Sequence, residues 1–193
     1  MGTNNTPTHA PSPGNAFSPI EIAVPPMRMP HLDFIYRIVC DMDSNISEIH
    51  NVDKTDITRV VLPILSGSVK GPRIEGKIVE RSGADWAERV GVDKVFTRLH
   101  ARYTLKTNDD IFILVDAEGI YRSGPGQKEK PPSTVSQDEV EYFTHIKFEA
   151  PGRSPYNWMN SVVAIGVMTM FEGRPVIDCY RLTNFPGTPA ENL

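Results

Sequence analysis

Apolar and polar side chains alternate with a period of two along much of the chain, which is typical of β-strands with one packed face. The alternation is longest over residues 94–106, where most odd positions are apolar and the even ones include Arg98, His100, Arg102 and Thr104. Strands average about five to six residues, so one of twice that length favours a sheet that curls into a barrel. The pattern leaves open whether the face with His100 and Arg102 points into a cavity or into solvent.

About nine segments carry strand signals. They are residues 31–40, 58–65, 74–80, 95–106, 111–116, 119–123, 142–149, 158–170 and 176–182. No segment repeats apolar residues at helical spacing over three turns, although 84–90 is compatible with one turn. Short polar connections at 108–110 and 117–119 predict hairpins. We therefore predict an all-β fold, an antiparallel up-and-down barrel whose closure removes exposed strand edges.

The domain organisation follows from the same pattern. Residues 1–30 contain seven prolines and little apolar surface, which predicts a disordered arm, with 17–24 as the one stretch able to add an edge strand. Residues 31–183 form one barrel domain and 184–193 a C-terminal tail. The long connection 124–139 is either a flap over the barrel mouth or a surface insertion.

Composition excludes several classes of function. The net charge of −4 and the dispersed Lys and Arg residues argue against nucleic-acid binding. No apolar run is long enough to span a bilayer, and no secretory signal is present, so we expect a cytoplasmic protein without a membrane partner. Cys40 and Cys179 have no zinc-like spacing and are expected as buried thiols. Phosphate, dinucleotide and paired-histidine motifs are lacking, so we expect neither a cofactor nor a metal.

Asp85 and Trp86 follow a glycine-punctuated segment and form the first candidate for chemistry. An indole beside a carboxyl group can desolvate it and raise its pKa, which favours a general acid or base near neutral pH. The structural alternative is that Asp85 caps a turn while Trp86 plugs one end of the barrel.

His100 and Arg102 share a strand face, so an imidazole that can transfer a proton stands beside a guanidinium that can hold an oxyanion. The alternative is an outer face of solvated charges. Tyr103 points the other way and is expected in the core, and the alternation around His145 favours an outward position.

Further aromatic groups with polar handles occur late in the chain. Tyr156, Trp158 and Asn160 are expected, with Trp86, Tyr103 and His145, to shape a pocket for a ring-containing ligand. As plain core residues, the aromatic side chains need no ligand.

Several of these residues lie in motifs that occur in a fixed order. The motifs are Gly-Pro-x-Ile-x-Gly from position 71, Gly-Ala-Asp-Trp from 83, Ala-Arg-Tyr-x-Leu-x-Thr-x-Asp from 101, a Gly at 119, Tyr-Phe at 142 with Phe-Glu at 148, and Tyr-x-Trp-x-Asn from 156. Over residues 32–182 the chain resembles the bacterial and fungal family of unknown function numbered 3237.

The resemblance implies a small lipocalin-like (calycin-like) barrel, pairing as a homodimer, and, for fungal members, a place among enzymes of secondary metabolism. By position it carries over Asp85, Trp86, Arg102, Tyr103, Tyr156, Trp158 and Asn160. The chain departs from the family pattern at His100, where an Asp is more common.

Together these observations predict a cofactor-independent enzyme that isomerises, cyclises or dehydrates a hydrophobic oxygenated small molecule, such as a polyketide or terpenoid intermediate. His100 or Asp85 would transfer the proton, and Arg102 would stabilise an oxyanion. The alternatives are a carrier that binds such a molecule without turnover, and an interaction module that uses the Pro-rich arm.

Overall fold

A computed structural model describes residues 26–91, 96–126 and 133–192. Within these ranges the chain forms ten β-strands and short 3₁₀ turns, with no α-helix. The strands are β1 (His31–Met42), β2 (Ser47–Ile49), β3 (Thr58–Lys70), β4 (Glu75–Ile78), β5 (Gly83–Val90), β6 (Phe96–Thr107), β7 (Phe112–Ser123), β8 (Val140–Glu149), β9 (Ala164–Phe171) and β10 (Arg174–Thr183). The predicted edge strand at 17–24 and most of the Pro-rich arm lie outside the described residues, as does the middle of the 124–139 connection.

The sheet closes on itself, which confirms the prediction of an all-β antiparallel barrel. Its strands follow the order β1, β10, β9, β8, β7 and β6, and β1 also pairs with β3. Between β3 and β6, the short strands β4 and β5 together take the place of one long strand. β5 pairs with the N-terminal parts of β3 and β6, and β4 pairs with their C-terminal parts. The short β2 adds to β3 outside this circuit. Closure leaves the main strands without free edges.

The direction of the β6 side chains settles the question that the alternation left open. Leu99, Tyr103 and Leu105 are 7 %, 3 % and 1 % exposed and belong to the interior. His100 and Arg102 alternate with them and therefore lie on the outer surface, with side chains that are 46 % and 54 % exposed. The outward reading is correct for both residues.

The sequence placed several element boundaries wrongly. Residues 84–90 are strand β5 and not a helical turn, and β7 runs unbroken through 117–119, where a turn was predicted. Gly119 does not form a turn but allows β7 and β8 to approach closely, because a Cβ atom at this position would lie 1.9 Å from the carbonyl oxygen of Phe143 on β8. The predicted strand 158–170 begins as the 3₁₀ turn Asn157–Ser161 and becomes strand only at Ala164.

The two ends of the barrel differ. At one end the connection between β8 and β9 places Tyr156, Trp158 and Met159 against the core, where all three are buried. The other end lies where β1, β5 and β7 finish, at Met42, Val90 and Ser123. The inner surface near this second end carries Asp85, Tyr121 and Tyr142.

Candidate functional site

Asp85 is a carboxyl group on the inner wall of the barrel. It lies directly across from Ala101 in the β5–β6 register, and Ala101 is two residues from both Leu99 and Tyr103, so the Asp85 side chain points inward with these two residues. Its Oδ1 accepts a hydrogen bond of 3.0 Å from the backbone N–H of His100. Burial raises the pKa of Asp85 to about 6, against the opposing effect of this hydrogen bond and of His100. The carboxyl group is therefore poised to exchange a proton near neutral pH.

Asp85 lies in the half of the barrel whose inward-facing side chains are only partly buried. Five inward-facing neighbours keep solvent-accessible surface, unlike the fully buried side chains deeper in the barrel; they are Met42, Leu62, Ala101, Tyr121 and Tyr142. The rings of Tyr121 and Tyr142 meet edge to face at 5.1 Å. Burial, followed by the nearby Asp85, raises the pKa of Tyr142, so its phenol stays protonated and can donate a hydrogen bond. We refer to Asp85 and these five side chains as the lumen site.

Deeper in the barrel lie two phenols and two thiols: Tyr36, Tyr103, Cys40 and Cys179. Burial raises the pKa of each thiol to about 12, so both stay protonated and are poor nucleophiles. They are the buried free cysteines that the sequence predicts. Cys179 on β10 lies opposite Tyr36 on β1. Cys40 lies four residues further along β1, opposite Gly67 on β3, so the two thiols do not face each other.

The Tyr36 hydroxyl is buried beside the Cys179 thiol and the Tyr103 hydroxyl, but it makes no hydrogen bond of standard geometry with any described residue. Removing an unpaired buried hydroxyl avoids its desolvation cost, so Tyr36→Phe is expected to raise the free energy of unfolding by about 1 kcal/mol. Urea denaturation of both proteins would measure the difference. A loss of stability would contradict this prediction, because it would mean that the hydroxyl has a partner.

Four of the predicted site residues lie on the outer surface: Trp86, His100, Arg102 and His145. The Trp86 and His100 rings are 6.4 Å apart and line, with His145, an open groove of about 590 Å³. The Nε2 atom of His100 lies 3.0 Å from Oδ1 of Asp116, and Nη2 of Arg102 lies 2.6 Å from Oδ2 of the same carboxylate. Arg102 is therefore occupied by an ion pair and does not face Asp85 across the lumen.

The outer surface also brings three potential metal ligands together. His100, Asp116 and Glu118 have ligand atoms within 4.8 Å of one another. Partial burial raises the pKa of Asp116, but hydrogen bonds from Arg102 and His100 outweigh it and leave the pKa lowered. The guanidinium of Arg102 already satisfies this carboxylate, so the arrangement is that of a surface charge network.

The remaining predicted residues close the other end of the barrel. Tyr156 donates a hydrogen bond of 2.7 Å to Oδ1 of Asp109, and Asn160 bonds both backbone groups of Ala150. Trp158 is 7 % exposed. The predicted site residues thus fall into three separate places. Asp85 and Tyr103 point into the barrel, Trp86, His100, Arg102 and His145 lie on its outer surface, and Tyr156, Trp158 and Asn160 lie at its closed end.

Sequence reasoning missed Tyr121, and it named Tyr142 as a pocket residue without connecting it with Asp85. Both lie opposite each other in the β7–β8 register. The alternation around position 142 was a usable signal, because Tyr142, Thr144, Ile146 and Phe148 share the inner face. Their proximity to Asp85, however, depends on how the barrel closes, which the local pattern does not contain.

The fold and the site define a small closed antiparallel barrel with a titratable carboxyl group on its inner wall. The model of the family of proteins of unknown function DUF3237 matches residues 30–182, and the chain belongs to this family. A UPF0311 protein of Rhodopseudomonas palustris (strain TIE-1) is 32% identical over 127 residues, which is 64% of this chain and 80% of that protein.

Solved structures share the fold. A β-barrel-like protein from Acinetobacter baumannii AYE superimposes with a TM-score of 0.69 at 23% identity, covering 84% of this chain and 100% of that one. A structure described as an enzyme from Penicillium herquei gives a TM-score of 0.60 at 19% identity, covering 83% and 99%. In the part of the chain that the structure describes, no helix is long and apolar enough to cross a membrane.

Proposed function

We propose that this protein is a cofactor-independent enzyme that transfers a proton on a hydrophobic, oxygenated small molecule bound in the lumen site. The observation that carries the proposal is Asp85, an inward-facing carboxyl group with a pKa of about 6 and a backbone N–H as its hydrogen-bond donor. A buried carboxyl group without a compensating cation costs stability, and such groups are concentrated at functional sites.

The surroundings of Asp85 fit this substrate class. Met42, Leu62 and the two tyrosine rings offer apolar surface to a ring or chain, while the Tyr142 hydroxyl can bond a carbonyl or hydroxyl oxygen of the substrate. These contacts would hold a substrate in one folded conformation beside the carboxyl group.

The reaction begins with Asp85 as a carboxylate. It removes a proton from an acidic C–H or O–H of the substrate, and the electron pair left behind forms a new C–C, C–O or C=C bond. Asp85, now neutral, returns the proton to another carbon or to a departing hydroxyl group, which leaves as water. Isomerisation, cyclisation and dehydration all follow this course, and the carboxylate is regenerated in each. His100 and Arg102 take no direct part, since they lie outside the lumen.

The relatives support catalysis and the proposed class of substrate. The Penicillium herquei structure is described as an enzyme, and its similarity to this chain extends to the fold. The family resemblance supports a polyketide or terpenoid intermediate as the substrate, because fungal members of the family often sit among enzymes of secondary metabolism. The competing function is that of a carrier, because the same apolar wall would bind such a molecule without changing it.

Hydrogen exchange distinguishes the enzyme from the carrier. The purified protein would be incubated in D₂O with a panel of hydrophobic phenols and enolisable ketones, and deuterium incorporation would be followed by mass spectrometry. We expect the protein to accelerate exchange or conversion of at least one compound that it binds. Binding of several compounds with no acceleration of exchange or conversion would favour the carrier.

We also propose a homodimer that forms through the outer face of β8, β9, β10 and β1. This face is unusually apolar for the outside of a barrel and includes Leu32, Phe34, Phe143, Val163, Ile165, Val167, Tyr180 and Leu182. Its central charges, Arg37 and Asp178, neutralise each other through hydrogen bonds of 2.6 and 2.7 Å. A second copy can therefore pack here without repulsion between like charges.

Sedimentation velocity would test the interface. Phe143→Glu is expected to shift a dimer of the wild-type protein to a monomer, because it places a charge in the apolar face. Phe112→Glu, at an equally exposed aromatic residue that packs on Lys106 away from this face, is the matched control and should leave the dimer unchanged. A wild-type monomer, or a dimer that persists in Phe143→Glu, would contradict the proposal.

A further inference from the structure

A second pocket lies at the closed end of the barrel, away from Asp85. It has a volume of about 380 Å³ and is bounded by the start of β1, the loop between β3 and β4, Trp158 and the C-terminal segment 187–189. Its apolar walls are Leu32, Phe34, Pro72 and Pro189, and its cations are Arg73 and Arg181. The volume is in the range of small-molecule pockets.

Arg181 is a fixed charge in this pocket, because its side chain is only 7% exposed. Its Nη2 atom donates to Oδ2 of Asp33 at 2.8 Å and also to the carbonyl oxygen of Thr188. The same Asp33 oxygen accepts the N–H of Gly187 at 3.0 Å. Arg181 and Asp33 therefore neutralise each other and hold the C-terminal segment over the pocket.

Arg73 carries the second positive charge of the pocket, and its ion-pair partner, Glu191, can be replaced. Its guanidinium stacks on the Trp158 ring at 4.5 Å, so its plane and position are set by a buried aromatic side chain. Its two terminal nitrogens hold the carboxylate of Glu191 at 2.9 and 2.6 Å. This is the bidentate geometry in which a guanidinium recognises carboxylates, and here the protein supplies the carboxylate from its own tail.

The charges in the pocket indicate what can replace Glu191. With Glu191 in place, Arg73 and Arg181 are balanced by Asp33 and Glu191. When the Glu191 side chain swings into solvent, one positive charge is left at Arg73 beside apolar walls. An exposed ion pair of this kind contributes little to stability, so an external carboxylate can compete for Arg73.

We propose that this pocket binds a carboxylic acid that carries an apolar ring, with its carboxylate on Arg73 in place of Glu191 and its ring against Pro72 and Pro189. The segment that ends at Glu191 then acts as a cover that competes with the ligand. The site is separate from the lumen site, and the inference does not depend on the proposed enzymatic function.

Benzoate is a suitable probe, and Trp158 is a built-in reporter. The chain has two tryptophans, so Trp86→Phe leaves Trp158 as the sole source of tryptophan fluorescence. In this background we expect a saturable change in emission with benzoate and at least tenfold weaker binding of the neutral analogue benzyl alcohol. Glu191→Gln should tighten benzoate binding several-fold, because it removes the competing carboxylate.

Variants of the cations and of Asp85 complete the test. Arg73→Gln is expected to weaken benzoate binding at least tenfold, whereas Arg89→Gln, which removes a comparably exposed arginine paired with Glu48 elsewhere on the barrel, should have no effect. Asp85→Asn should also leave the affinity unchanged, which separates this pocket from the lumen site. Absence of saturable binding in both the Trp86→Phe background and Glu191→Gln, or an affinity that does not depend on residues 73 and 191, would overturn the proposal.

Discussion

Asp85→Asn is expected to lower turnover of a lumen substrate by about 10²- to 10⁴-fold, the usual contribution of a general acid or base. The amide keeps the size of the side chain and an oxygen that can accept the His100 N–H, so the fold and substrate binding should be retained. The rate constant for conversion or for deuterium exchange, together with the substrate affinity, measures the two effects separately.

Asp116→Asn is the matched control for this result, because it makes the same chemical change on the outer side of the same sheet. We expect it to leave turnover within a few-fold of wild type. His100→Ala tests the alternative site. If it abolishes turnover while Asp85→Asn does not, the reaction takes place in the outer groove, and the proposal of catalysis in the lumen site is contradicted.

The second large effect concerns stability and pH. The pKa of Asp85 in the folded protein is raised from 3.8 to about 6, so the folded state holds this proton more tightly than the unfolded chain. Stability from this group is fully present below about pH 4 and is lost as pH rises through about 6. Relative to wild type, Asp85→Asn should therefore gain about 2–3 kcal/mol in the free energy of unfolding at pH 8 and nothing at pH 4.

Denaturant unfolding of both proteins at several pH values would show this divergence. Asp116 provides a contrast of opposite sign, because its pKa is lowered and its charge stabilises the fold above the usual carboxyl pKa. Asp116→Asn should thus lose stability at pH 8. A constant difference between wild type and Asp85→Asn from pH 4 to pH 8 would show that the carboxyl group is not titrating in this range.

The alternation of apolar residues was sufficient to predict the barrel and the two faces of β6. It was not sufficient to decide which face holds chemistry, because an inner wall and an outer wall alternate in the same way. Tyr103 on one face and His100 on the other differ in burial only after the sheet closes through the β1–β3 pairing, a contact between residues 22 to 33 positions apart.

The individual errors have local physical causes. Gly119 resembles a turn residue in sequence, yet it allows two strands to approach closely, and a Cβ would meet the Phe143 carbonyl. Residues 84–90 contain small and charged side chains with weak strand preference, and pairing with β3 and β6 on both sides makes them a strand. Asp85 was identified as a candidate acid or base, but its pocket was assigned to residues that lie on the other side of the sheet.

The hydrogen bond from the His100 backbone to Asp85 has a consequence for how this barrel can diversify. The donor is a main-chain N–H, which every residue except proline supplies, so the side chain at position 100 can change without releasing the carboxyl group. The backbone of His100 therefore holds the carboxyl group, while its ring lies on the outer wall and acts on Asp85 only through its charge, which lowers the pKa of that group. The position of the inner carboxyl group thus does not depend on which side chain stands at position 100, although the two lie on neighbouring residues of the β5–β6 pair.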